Sequence, residues 1–242
     1  MSIGAIIPFK NEEGNVESIV KGASSLKDLE QIIFINGDSS DNTLNKLLEC
    51  VDNYGDSRMK VLEQAVPFGK FAAIKQSMAH LTTKHILIWD GDNTILFDQI
   101  KHLLDIYLRD SNKSKIFLVA NRINSSREKN SFKLLNLFGN KIFSILMSCI
   151  LRKTLPDVLS GAKVFPREIY ELAKECDKAF KLDRFGDLIL LSNGRKLNLE
   201  FKSFDCIYAK RTYGRSNIKR WSAGVSMVHL ILHLYLHKCY KS

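Results

Sequence analysis

The sequence predicts an α/β fold, a mixed and mainly parallel sheet flanked by helices, on three observations. Short runs of β-branched and other apolar residues alternate with stretches whose apolar residues recur at helical spacing. Three of these runs lead directly into polar loops, at Lys10 to Glu13, Asn36 to Asp41 and Asp90 to Asp92. A chain of 242 residues, 45% of them hydrophobic, can bury one core without disulfide or metal staples, and no repeat or Pro/Gly/Ser-rich linker marks a second domain.

Ile3 to Pro8 is a first strand ended by proline, and Val16, Ile19, Val20 and Ala23 lie at helical spacing within Asn15 to Leu26. Ile32 to Ile35 repeats the strand, followed by turn residues and a helix through Leu44, Leu47 and Leu48. A third strand fits Met59 to Leu62, a helix Gly69 to Leu81, and a fourth strand His85 to Trp89. Ile100 to Tyr107 reads as helix and Ile116 to Ala120 as strand. Phe132 to Leu151 carries no acidic residue and is long enough to span a bilayer, at about 20 residues. Lys133, Asn136, Asn140 and Lys141 interrupt it, which favours an amphipathic helix. Val158 to Phe165, Asp187 to Leu191 and Leu197 to Phe204 supply shorter elements, and Trp221 to Leu236 is an apolar tail. Ligands of such sheets bind outside the carboxyl ends of the strands, where the three polar loops converge.

The formal net charge of +10 is concentrated at one end. Residues 195–242 hold ten Lys/Arg against Glu200 and Asp205, a local +8, so the basic end is expected to meet something anionic: nucleic acid, lipid headgroups or a phosphorylated substrate. That segment lacks the aromatic interleaving of single-strand readers, and no helix-turn-helix or zinc-finger spacing occurs, so nucleic acid is not an expected partner. Five cysteines without a CxxC pair suit free thiols in a reducing compartment, and the N-terminus shows no leader pattern, which points to the cytoplasmic side. His229, His233 and His237 recur every four residues without a Cys or acidic partner and read as a packing or interfacial face.

Asp90-Gly91-Asp92 places two carboxylates at the end of an apolar strand, with Gly91 allowing close approach. Such hard donors suit Mg²⁺ or Mn²⁺ carrying a diphosphate, and the bland alternative is a polar turn. Four stretches in order, Ile6-Ile7-Pro8-Phe9-Lys10-Asn11-Glu12-Glu13, Ile33 to Thr43, Gly69-Lys70-Phe71-Ala72-Ala73 and Ile88-Trp89-Asp90-Gly91-Asp92, resemble a family 2 glycosyltransferase with the GT-A fold. Asp157 to Phe165 and Arg211-Thr212-Tyr213-Gly214-Arg215-Ser216 are similar to the branch of dolichol-phosphate mannose synthases and polyprenyl-phosphate sugar transferases.

The resemblance implies an inverting transfer from a nucleotide-diphosphate sugar. By motif position Pro8, Phe9, Asn11, Glu12, Asn36, Asp38, Lys70, Asp90, Gly91 and Asp92 would bind the donor, and Asp90 and Asp92 would hold a divalent metal, Mn²⁺ or Mg²⁺. Arg122, Ser160, Gly161, Arg211 and Ser216 would face the acceptor, and Asp92, Asp187 and Arg211 are the catalytic candidates. Asn36-Gly37 departs from the paired acidic residues of relatives, which leaves the base contact to the Asn36 amide or to Asp38; Asp41 also reads as a helix N-cap. A sugar hydroxyl acceptor would need Asp187 as general base, with Asp183 competing, whereas a lipid phosphate needs none. The expected acceptor is a polyprenyl phosphate at the cytoplasmic membrane face, and the alternative is a sugar hydroxyl in polysaccharide assembly. The expected division is a catalytic domain over 1–220 and a C-terminal amphipathic helical tail over 221–242. The tail, too short to span, would lie on the membrane or in a homodimer interface.

Overall fold

The computed structural model describes residues 2–65, 69–123, 134–174, 185–214 and 220–236, with the backbone alone at 134–138, 173–174 and 220–223. Among these, strands β1 (Ile3–Phe9), β2 (Leu29–Asn36), β3 (Met59–Glu63), β4 (His85–Trp89), β5 (Ile116–Asn121), β6 (Ala162–Pro166) and β7 (Glu200–Asp205) form one sheet in the order β3-β2-β1-β4-β6-β5-β7. All run in one direction except β6, which is antiparallel to both β4 and β5.

The central strands are buried on both faces, so they are apolar throughout rather than alternating. Alternate residues still serve different layers. Ile6 joins the core beneath helices α3 (Lys70–His80), α5 (Leu134–Leu151), α6 (Glu168–Lys174), α7 (Asp187–Lys196) and α8 (Arg220–Leu236). Ala5, Ile7 and Phe9 join the opposite core, beneath α1 (Val16–Ser25), α2 (Thr43–Tyr54) and α4 (Phe97–Arg109). Each fully buried large side chain contributes about 1.5–3 kcal/mol, so the two layers fix the sheet and the loops at its carboxyl edge.

Several boundaries differ from the sequence expectation. Within Val158 to Phe165 only Ala162 onward is strand, which leaves Ser160-Gly161 in the preceding loop. Asp187 to Leu191 is the first half of a ten-residue helix whose first eight residues are all buried, so it carries no 3.6-residue polar period. The last strand begins at Glu200 rather than Leu197. Helix α8 starts at Arg220, beside the expected domain boundary, and its inner face of Met227, Leu230, Ile231 and Leu234 belongs to the same core as α3 and α7. Its outer face exposes Val225, Val228, Leu232, Tyr235 and Leu236, so the helix is apolar on both sides rather than divided into polar and apolar halves. Among the described residues no helix is long and apolar enough to cross a membrane.

Candidate active site

The first two polar loops are bonded into one unit. Asn11, at φ 55°, accepts the Ser40 N–H on Oδ1 at 2.7 Å and donates its own N–H to Ser39 Oγ at 2.9 Å. The Glu12 N–H reaches Thr43 Oγ1 at 3.0 Å, and Asp41 accepts both the Thr43 N–H and its hydroxyl. Asp41 thus caps α2 from one position before the N-cap, which is Asn42. Asn36 closes β2 at 1% exposure beside Phe9, and among the described residues its buried Oδ1 has no hydrogen-bond partner. Asp38, also at positive φ, points outward at 66% exposure, and Lys10 Nζ donates to the Gly37 and Asp38 carbonyls.

The third loop leaves β4 as Asp90-Gly91-Asp92. The Gly91 N–H donates to the Pro8 carbonyl, and a Cβ at Gly91 would lie 2.7 Å from that oxygen, so only glycine permits this approach. Lys70, the first residue of α3, places Nζ 2.5 Å from Asp90 Oδ1. Burial raises the Asp90 carboxyl above its ordinary value against the pull of Lys70; burial also opposes the charge on Lys70, but Asp90, Asp187 and Asp92 together outweigh it and hold the ammonium above its ordinary range. Asp92 Oδ1 accepts the Thr94 N–H and hydroxyl, which orients its Oδ2 toward Arg211 Nη2 at 2.6 Å. Gly161 lies against the other Asp90 oxygen so closely that a Cβ would overlap it.

Arg211 ties the C-terminal half of the chain to the first loop. Its Nη1 donates to Glu12 Oε1 while Nη2 holds Asp92, a bridge between carboxylates from the loops after β1 and β4. Tyr213 packs on Gly14, where a Cβ would overlap its ring, and Gly214, at φ 71°, sits over the Asn11 carbonyl. Glu12 is buried, and burial pushes its carboxyl up to about 7 although Arg211 and Asn15 both bond to it.

Asp187 begins α7 at the same edge, and Lys163 of β6 donates to its Oδ1. Lys163 is 1% exposed and faces the core shared by α3 and α7. Sequence reading passed over it, although a lysine inside the otherwise apolar run Ala162-Lys163-Val164-Phe165 is a signal that a buried carboxylate must accompany it. Lys163, Asp187, Lys70, Asp90, Asp92, Arg211 and Glu12 thus form a series of mutually balancing charges along the carboxyl edge.

Arg122 is placed differently from its expected role. Its Nε and Nη2 form a bidentate pair with buried Asp157 at 2.7 and 2.9 Å, Nη2 also donates to the Leu159 carbonyl, and the guanidinium stacks over Tyr208. The geometry makes it a brace for the loop that carries Ser160 and Gly161, with Asn140 of α5 donating to the same aspartate. Ser160 is fully buried, with its hydroxyl near the Ala162 N–H and carbonyl, and does not face open space. Ser216 and Asp183 lie outside the described residues. A depression lined by Ser24, Lys27, Tyr54, Asp56 and Arg58 lies at the opposite, amino-terminal edge of the sheet and shares none of these groups.

A doubly covered sheet, with polar loops and paired carboxylates gathered at one edge, is the arrangement expected of the GT-A class of nucleotide-sugar transferase folds. The chain belongs to glycosyl transferase family 2, whose profile matches residues 5–172. Among solved structures it is similar to mannosyl-3-phosphoglycerate synthase from Rubrobacter xylanophilus, at 16% identity and TM-score 0.67 over 98% of this chain and 75% of that one. It is also similar to glucosyl-3-phosphoglycerate synthase from Mycobacterium tuberculosis, at 17% identity and TM-score 0.66 over 100% and 82%. The same mycobacterial enzyme in complex with Mn²⁺, UDP-glucose and glycerol 3-phosphate matches at 15% identity and TM-score 0.60, over 100% and 81%. No curated protein matches the chain in sequence.

Proposed function

We propose that the protein is a divalent-metal-dependent, inverting glycosyltransferase that moves a sugar from a nucleotide-diphosphate sugar to a polyprenyl phosphate at the cytoplasmic membrane face. The observation that carries this reading is Asp90-Gly91-Asp92 at the carboxyl end of β4, each carboxylate paired with one cation, Lys70 or Arg211. The residues fit Mn²⁺ or Mg²⁺. Both carboxylates are hard oxygen donors, and Gly161, where a Cβ would overlap an Asp90 oxygen, is what lets that carboxylate lie at the loop in the position it holds. Among the described residues no third Asp, Glu, His or Cys joins them, which suits a metal that retains positions for diphosphate oxygens and water. Bound by Asp90 and Asp92, the cation would neutralise charge on the departing nucleotide diphosphate.

The chain's own groups do the rest. Lys70 and Arg211 exchange a carboxylate partner for phosphate oxygens, and the guanidinium fork suits that bidentate role. Pro8, Phe9, Asn11, Glu12, Asn36 and Asp38 border the nucleotide, and Asn36 Oδ1, without a partner among the described residues, would accept from an N–H of the base once the donor enters. An acceptor phosphate arrives ionised and needs no base, which agrees with an Asp187 already bonded to Lys163 and better placed to orient a loop or a sugar. A small phosphorylated acceptor is the second reading, because the mycobacterial neighbour was solved with phosphoglyceric acid and with glycerol 3-phosphate.

The test is a thermal-shift panel of UDP-, GDP- and CDP-sugars with Mn²⁺. One donor should stabilise the chain, by about 2.7 kcal/mol at a hundredfold excess over Kd, and both EDTA and Asp92→Asn should remove that gain. No shift with any donor would overturn the reading. Asp187→Asn, which keeps an oxygen for Lys163, should lower turnover little with a phosphate acceptor; a loss of several orders of magnitude at wild-type melting temperature would instead indicate a hydroxyl acceptor and a general base.

A further inference from the structure

Eight of the large exposed apolar side chains lie on two helices. Ile142, Ile145 and Leu146 are on α5, and Val225, Val228, Leu232, Tyr235 and Leu236 are on α8. The helices pack against each other, and their inner residues, Met147, Ile150, Leu230 and Leu234 among them, enter one core. Their outer residues therefore share one outer surface, on the scale of the few hundred Å² that marks an interaction site. Along and beside the two helices in sequence the charge has one sign. No acidic residue occurs between Glu128 and Asp157 or after Asp205, whereas Lys141, Arg152 and Lys153 are exposed on or beside α5 and Arg220, Lys238 and Lys241 bracket α8 in sequence.

We infer that α5 and α8 together form a composite surface that docks on an anionic lipid bilayer, with the apolar side chains entering the acyl boundary and the basic residues meeting headgroup phosphates. An isologous contact between two copies would bring two basic, acid-free faces together, whereas a bilayer of anionic lipid supplies both an apolar interior and the opposite charge. Neither helix is suited to spanning, so the surface lies on the membrane. Helix α5 also links this surface to the catalytic edge: its inner residue Asn140 donates to Asp157, the partner of Arg122, while its outer residues face the lipid. The inference rests on the transferase reading only for its purpose, delivery of a lipid-borne phosphate; its test is a binding measurement.

The test is flotation of the full chain with phosphatidylcholine vesicles, with and without phosphatidylglycerol, alongside Ile145→Glu and Leu232→Glu. The wild type should float with the anionic vesicles alone and detach as salt rises. Each variant should partition about tenfold less while keeping wild-type melting temperature and donor stabilisation, since both positions are exposed. Equal binding to neutral vesicles, unchanged partition of both variants, or wild-type self-association that the variants abolish without any vesicle binding would overturn the inference. Flotation without donor stabilisation would overturn the transferase reading and leave this surface standing.

Discussion

Gly161 shows how narrow the tolerances are around Asp90. A Cβ there would overlap the carboxylate oxygen directed at it, so Gly161→Ala must displace either Asp90 or the loop braced by Arg122. We expect at least a tenfold loss of turnover with little change in melting temperature, since a small misplacement of a catalytic group costs more in rate than in stability; wild-type turnover would contradict the close approach. Glu12 gives a pH-dependent signature. Unfolded it titrates near 4.5, folded at about 7, so between those values the folded chain keeps a proton that the unfolded chain releases. Its stabilising contribution is complete below 4.5 and fades as pH rises through about 7. Glu12→Gln should therefore flatten the fall of melting temperature between pH 5 and pH 7, and an unchanged slope would exclude the buried carboxyl as its source. Pro8, Phe9, Asn36, Lys70, Asp90 and Asp92 were legible in the sequence because each stands in a short motif at the end of a strand or start of a helix, and Arg211 because it opens the Arg211 to Ser216 stretch that resembles the family. Lys163 was not, because its partner Asp187 lies 24 residues away and only the crossing of β6 past α7 brings them together.

Two elements carry contrasts that single substitutions can read. Strand β6 runs against its neighbours and delivers Lys163 to the N-terminus of α7. Lys163→Met would leave Asp187 buried and unpaired, at a cost of about 3–5 kcal/mol in denaturant unfolding. The Lys163→Met, Asp187→Asn double variant should recover most of that loss, and failure to recover would mean the lysine matters for packing instead of charge. Helix α8 has two apolar faces of different consequence. Leu230, fully buried, should cost about 2–5 kcal/mol on truncation to alanine. Leu232, half exposed, should change stability by less than about 0.5 kcal/mol. Equal effects at the two positions would mean that α8 does not pack on the core in the observed orientation. The tail over 221–242 was read from sequence as an amphipathic helix because the apolar run was visible, but which apolar residues face inward depends on a core contributed by α3, α5 and α7.

At the level of the whole molecule, the site couples the ends of the chain. Glu12 and Arg211 are 199 positions apart and bonded, and Tyr213 and Gly214 fold onto the first loop. Donor binding should therefore move a single calorimetric transition as a unit; two transitions, of which the donor shifts one, would show that the halves unfold separately. The basic end likewise resolves into two parts, Arg211 inside the catalytic edge and the residues that flank α8 in sequence. The parallel βα succession, the three converging loops and the paired carboxylates followed from the sequence alone, because periodicity, turn chemistry and motif spacing are local and survive without knowledge of neighbours. The reversal of β6, the Lys163–Asp187 pair, the commitment of Arg122 to Asp157 and the joining of α5 and α8 into one surface were decided only by the tertiary structure. Each depends on burial and charge pairing between segments distant in sequence, and no local pattern records which distant partner the packing will supply.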